Sequence, residues 1–199
     1  HLENPRYEFR ILHESGLLFV EIPKNASTSI KRVLFTDLPP ETSRTDYAQW
    51  IPAAPGRNLL GAHNEGVFRD NFSFAIIRNP YRRALSAFRN KGHRAGEAST
   101  FEEFLQLLEV FGYKDHHFRP QVDFLPRRRS GELAPILLVD INELTKLSPI
   151  FSDRGLETRF PRMNSSQRGS YRMSRQAMDL VEHLYRSDFE ELSFPYGVF

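Results

Sequence analysis

Lys24 heads a run of small polar residues, Lys24-Asn25-Ala26-Ser27-Thr28-Ser29, which gathers an ammonium, several hydroxyls and a row of backbone N–H groups. Before it lies the apolar stretch Leu17-Leu18-Phe19-Val20-Glu21-Ile22-Pro23, read as a strand, and after it Ile30 begins an amphipathic helix. A loop that leaves a strand and opens a helix presents orphan N–H groups and the positive end of the helix dipole, a combination that favours an anion. This is phosphate-binding chemistry, but not of the Walker type. That pattern ends in Gly-Lys-Ser/Thr, whereas here the lysine precedes the small residues and the loop has no glycine.

A second constellation supports the first. Phe72-Ser73-Phe74-Ala75-Ile76-Ile77 reads as another buried strand, ending in Arg78-Asn79-Pro80. Asn79 is a good N-cap and Pro80 suits the first helical position. The helix that follows is expected to bury Tyr81, Ala84, Leu85 and Phe88 and to turn Arg82, Ser86 and Arg89 to another face. Arg82 and Arg83 read as solvated helix charges. Arg78 at a strand end and Ser86 two turns into the helix offer a guanidinium fork and a hydroxyl, suitable for a terminal phosphate monoester.

The 23–29 loop resembles the 5′-phosphosulfate loop of sulfotransferases, which use 3′-phosphoadenosine 5′-phosphosulfate (PAPS) as sulfuryl donor. The Arg-Asn-Pro…Ser pattern of 78–86 resembles their 3′-phosphate segment. Four later stretches resemble segments of the family-2 carbohydrate sulfotransferases in the same order. They are Asp115-His116-His117-Phe118-Arg119-Pro120-Gln121, Val139-Asp140-Ile141-Asn142-Glu143-Leu144, Arg162-Met163-Asn164-Ser165-Ser166 and Tyr185-Arg186-Ser187-Asp188-Phe189. The resemblance implies PAPS as donor, the 3′,5′-bisphosphate PAP as product, a hydroxyl acceptor on a carbohydrate or glycolipid, and no metal.

It also implies roles for particular residues. Lys24, Asn25, Ala26, Ser27, Thr28 and Ser29 would hold the phosphosulfate, with Lys24 also stabilising the oxygen that leaves sulfur. Arg78 and Ser86 would hold the 3′-phosphate, and Ser166, Gln167 and Arg168, before Gly169, would close over the nucleotide. His63 is the candidate general base, in the slot between loop and Arg78 strand where many sulfotransferases place a histidine. Glu65 is the reserve base, and His116 and His117 are rivals whose Pro-Gln neighbours suggest a structural or acceptor-shaping role. Plainer readings exist. Lys24 also reads as a solvated lysine, His63 as a loop histidine, and Thr28 and Ser29 as N-caps.

The elements that must carry these residues follow from pattern. Pro39 to Gly56 reads as a long loop or lid, with Tyr47 and Trp50 anchoring it or stacking on a ring, and Asn58–Ala62 as a short strand. Thr100-Phe101-Glu102-Glu103 is a capping box opening a helix to about Phe111. Pro135–Asp140 reads as a third buried strand, Asn142–Leu147 as a short helix. Ser174 caps a final helix with Ala177, Leu180, Val181, Leu184, Tyr185 and Phe189 on its apolar stripe. Strands alternating with helices specify an α/β fold, a single domain over residues 1–199 with a central parallel sheet flanked by helices and its phosphosulfate loop at the strands' carboxyl ends. His1-Leu2-Glu3 reads as an expression remnant.

Composition narrows the class. The chain has 199 residues, a net charge of +2 and no cysteine, which removes disulfides, thiolate metal sites and a cysteine nucleophile. No membrane-spanning run or signal peptide is visible, and a cytoplasmic, bacterial enzyme is expected. Arginine far outnumbers lysine, which suits bidentate anion recognition. One competing reading is a phosphoryl transferase, against which stand the missing Gly-Lys-Ser/Thr and the lack of a Mg²⁺-ligand motif. Another is a non-catalytic arginine-rich domain that binds polyanions. The positive charge is scattered rather than massed, so no nucleic-acid partner is expected, and Arg127-Arg128-Arg129 before Ser130-Gly131 reads as a solvated turn.

Overall fold

The computed structural model describes residues 10–36, 70–91, 98–128, 130–161 and 171–199. His63, Glu65, Ser166, Gln167, Arg168, the Tyr47–Trp50 loop and the Asn58–Ala62 strand lie outside them. In chain order the elements are β1 (Arg10–His13), β2 (Leu17–Val20), α1 (Ser27–Leu34), β3 (Phe72–Ile77), α2 (Pro80–Lys91), α3 (Phe101–Phe111), β4 (Leu137–Asp140), α4 (Ser148–Ser152), α5 (Arg175–Leu184) and α6 (Arg186–Glu191). They fall into two compact units, residues 1–77 with 124–163 and residues 78–123 with 164–199, each with its own apolar core.

The first unit is built on one sheet in the order β1-β2-β3-β4. β2, β3 and β4 run parallel, with Leu17 opposite Phe72 and Phe74 opposite Leu137. β2 is buried at every residue because it has a neighbour on each side. Its unbroken apolar run is what a strand covered on both faces requires. The parallel strands flanked by helices match the expected fold class. The sequence reading did not include β1, an antiparallel hairpin partner of β2. Gly16 closes that hairpin at a φ of 77°, a left-handed value few side chains adopt, and its N–H donates to His13 O at 3.0 Å.

β4 corrects an expectation. It starts at Leu137 rather than Pro135, since proline has no N–H for a ladder, and it closes the described edge of the sheet. Leu137 is therefore 38% exposed and Val139 alone in the strand is buried. Beyond it Asp140 caps a 3₁₀ helix over Ile141–Leu147, accepting from Asn142 N at 2.8 Å. Ile30 and Val33 of α1 pack with Phe19, Phe74 and Phe151. The Phe74 ring stacks on Phe19 at 5.2 Å and meets the edge of Phe151 at 5.8 Å, pairs worth about 0.5–1.5 kcal/mol each beyond burial.

The second unit is helical. Thr100 and Glu103 form the expected capping box of α3, each side chain accepting from the other's end of the turn. Phe101, Phe104 and Leu105 pack with Tyr81, Phe118, Val181 and Phe189. Ser174 caps α5 through Ala177 N at 3.1 Å. The expected single last helix breaks at Tyr185, whose backbone leaves helical values while its hydroxyl donates to Phe118 O at 2.8 Å; α6 then restarts the helix. In the first unit, Arg127 and Arg128 are exposed on a tight turn closed by Gly131 N to Arg128 O at 2.9 Å, as the sequence implies. Among the described residues no helix is long and apolar enough to cross a membrane.

Candidate active site

The loop between β2 and α1, in the first unit, carries the candidate anion-binding residues Lys24–Ser29. Ile22 and Pro23 are buried, and the chain then turns through Lys24 at a φ of 72° and Ala26 at 57°. Two non-glycine residues in left-handed backbone within three positions cost on the order of 1–3 kcal/mol each, strain that surrounding structure must hold in place. Hydrogen bonds to Ile22 and Ile76 help hold it. Asn25, with 0% exposure, donates from Nδ2 to Ile76 O on β3 at 2.8 Å. Its N–H donates to Ile22 O at 3.3 Å, and Ser27 Oγ donates to the same carbonyl at 3.0 Å.

The strain has a chemical result. A left-handed residue beside right-handed ones turns successive N–H groups toward one concavity, the arrangement that receives anions. Ala26 is the N-cap of α1 and makes no side-chain cap, so the first turn of N–H groups is not closed off by its own N-cap side chain. This corrects the capping reading of Thr28 and Ser29. Both lie inside the first turn, because the helix begins at Ser27. No acidic residue occupies that turn, which leaves its dipole available to an external anion. Lys24 is half-buried beside it, and Glu21, the nearest acidic residue in sequence, is paired with Lys31 at 2.7 Å.

In the second unit Arg78 and Ser86 stand as expected, the first directly after β3 and the second in α2. Asn79 caps α2, accepting at Oδ1 from Tyr81 N at 3.1 Å and Arg82 N at 3.3 Å. Arg78 and Ser86 are half-buried and Arg82 is exposed. Arg83 differs from expectation. It is 1% exposed, and its Nη1 donates to Arg119 O at 2.7 Å. The helix is buried on two sides, at Tyr81 and Ala84 and again at Ala87, and Arg83 lies one turn before Ala87. A single-stripe reading places it in water; the small Ala87 at i+4 was the signal for a second buried face.

Sequence reasoning also missed what Arg83 and Arg78 lean on. Asp188, fully buried, accepts from Val122 N at 3.0 Å and from Gln121 Nε2 at 3.1 Å. Burial holds the Asp188 carboxyl above its usual range, and the Arg83 charge with those two hydrogen bonds offsets only part of that rise. Gln121 in turn bonds the Arg78 backbone at both its N–H and its carbonyl.

The His116-His117 pair has more structure around it than its sequence suggested. Asp115 caps their 3₁₀ turn, accepting from His117 N at 2.9 Å, and its Oδ1 lies 2.6 Å from His117 Nδ1. Burial raises the Asp115 carboxyl, but the His117 hydrogen bonds and the two imidazoles outweigh it and hold the group below its usual range. A carboxylate there favours the tautomer with its proton on Nδ1. Asp115, His116 and His117 are also the one group among the described residues whose donor atoms gather as metal ligands do, within 4.8 Å of one another.

No curated protein matches this sequence. Among solved structures the chain is similar to a sulfotransferase from Alicyclobacillus acidocaldarius, at 14% identity and a TM-score of 0.49, over 89% of this chain and 94% of that one. The model of the Sulfotransferase family matches residues 7–195, almost the full length, and the chain belongs to that family.

Proposed function

We propose that this sulfotransferase takes its sulfuryl group from PAPS and gives it to a hydroxyl of a carbohydrate or glycolipid. Family membership supports sulfuryl transfer. The donor reading rests on one observation above others, the Lys24–Ser29 loop, whose left-handed Lys24 and Ala26 feed an α1 N-terminus without acidic residues. Backbone of that kind, leading into an open helix N-terminus, is what receives anions, which supports a phosphosulfate donor there.

In this reading the backbone N–H groups of Ala26 through Ser29 and the Thr28 and Ser29 hydroxyls bind the 5′-phosphosulfate, Asn25 and the Ser27 hydroxyl hold the loop in shape through Ile76 and Ile22, and Arg78 and Ser86 bind the 3′-phosphate. His63 takes the proton of the acceptor hydroxyl, whose oxygen attacks sulfur in line. The bond from sulfur to the bridging oxygen breaks, and its electron pair leaves on the 5′-phosphate of PAP. Lys24 stabilises that oxygen as it becomes anionic, which is differential binding of the transition state. Lysine and helix dipole together provide the positive charge the step needs. Ser166 and Arg168 close over the nucleotide.

Thermal melting with PAP, PAPS, ATP and an oligonucleotide tests this reading. A ligand at a hundred times its Kd adds about 2.7 kcal/mol to the folded state. At about 2–4 °C per kcal/mol for a chain of this size, PAP and PAPS should raise Tm by about 5–11 °C. A rise with ATP or the oligonucleotide and none with PAP would replace the proposal with one of its competitors.

A further inference from the structure

Arg78 sits one residue beyond β3, where the ladder that holds Ile77 has ended. Its backbone is nonetheless held at both groups. Arg78 N donates to Gln121 Oε1 at 2.9 Å, and Gln121 Nε2 donates to Arg78 O at 2.8 Å. A primary amide has an acceptor and a donor set like those of a peptide group, so this side chain does for Arg78 what a neighbouring strand does for Ile77.

The amide cannot choose its orientation freely. Its second Nε2 proton goes to Asp188 Oδ2 at 3.1 Å, while the other carboxylate oxygen accepts from Val122 N at 3.0 Å. A carboxylate only accepts, so Asp188 draws Nε2 toward itself and leaves Oε1 for the Arg78 N–H. Arg83 provides the charge that offsets the buried Asp188. Gln121 and Asp188 are 0% exposed and Arg83 1%, so the whole arrangement is sealed from water.

We infer that Gln121 is a positioning residue for donor binding, whose amide, oriented by Asp188 and Arg83, fixes the point from which the Arg78 guanidinium reaches the 3′-phosphate. The inference rests on the donor reading above. It gives the Pro120-Gln121 and Asp188-Phe189 segments a shared task, although they lie far apart in sequence. Groups that orient the ligands of a metal typically change its affinity by about ten-fold or more when removed, and a loss of that order is expected here.

Calorimetry separates this role from plain support of the fold. Gln121→Met keeps length and apolar bulk but can neither accept nor donate strongly. PAP should bind it about ten-fold more weakly, while adenosine 5′-phosphate, which lacks the 3′-phosphate, should bind within about two-fold of wild type. In an Arg78→Ala background the same change should cost PAP no more than about two-fold, because the residue acts through Arg78. Equal losses for both nucleotides, equal losses in both backgrounds, or a lower Tm with PAP affinity intact would each overturn the inference. An Arg78→Ala protein that binds PAP as well as wild type would overturn the donor reading instead. Should Gln121→Met not fold, hydrogen exchange on the wild-type protein decides: the Arg78 amide should be protected like those of β3, and exchange at the rate of a free amide would refute the clamp.

Discussion

Replacing Asn25 by alanine tests whether the strained loop is held from β3. Asn25 is 0% exposed and its amide donates to the buried Ile76 carbonyl at 2.8 Å. Removing the donor leaves that carbonyl short of a partner, about 1–3 kcal/mol, and the void adds about 1 kcal/mol. The sum, about 2–4 kcal/mol, corresponds to a fall in Tm of about 4–16 °C. Asn25→Asp sharpens the test, since it keeps the shape but sets a carboxylate oxygen against the carbonyl. Burial and that neighbour would raise the new carboxyl's pKa in the folded state above its unfolded value of about 3.9. The folded state then holds the extra proton, so stability is greatest below that value and is lost as pH rises through the folded pKa. Unfolding monitored by circular dichroism from pH 4 to 8 measures both variants. An Asn25→Ala Tm within about 1 °C of wild type, or an Asn25→Asp protein that gains stability as pH rises, would refute the reasoning.

Three further outcomes are expected. Lys24→Ala should depress turnover more than PAP affinity if, as proposed, its charge acts on the departing oxygen; equal losses in both would make Lys24 a binding residue only. His63→Ala should lower turnover by about 10²–10⁴-fold with PAP binding near wild type, and Glu65→Gln and His117→Ala should not; a larger loss in either control transfers the base to that residue. Arg83→Met should destabilise by about 3–5 kcal/mol by stranding Asp188, whose carboxyl burial already pushes up. That deficit is a raised folded pKa, so urea titrations should show it shrinking from pH 7 toward pH 4.5, and a deficit independent of pH would show that the Arg83 charge is not what matters.

What the sequence made legible depended on whether the information was local. The Leu17–Val20 and Phe72–Ile77 runs declare buried parallel strands because a strand covered on both faces carries no alternation. Asn79, Thr100 and Ser174 declare helix starts because capping chemistry sits within a few residues. The left-handed Lys24 and Ala26 were not legible, since neither is glycine and the strain is held by contacts to Ile22 and Ile76. Arg83 was misread because a stripe rule assumes one buried face, and its helix has two. Gln121 meets Arg78 across 43 residues and Asp188 across 67, contacts that only the fold creates. Such long-range polar partners leave no periodicity for a sequence to display.

We propose that Arg78 holds a nucleotide's 3′-phosphate and that the Lys24–Ser29 loop holds its 5′ end. Calorimetry of PAP and adenosine 5′-phosphate on wild type and Arg78→Ala tests it most directly. Loss of a charge-assisted phosphate bond, about 1.5–3 kcal/mol, predicts that wild type prefers PAP by about ten- to hundred-fold and that Arg78→Ala binds the two nearly alike. A preference for PAP that survives intact in Arg78→Ala, or a wild type that binds neither nucleotide, would contradict it.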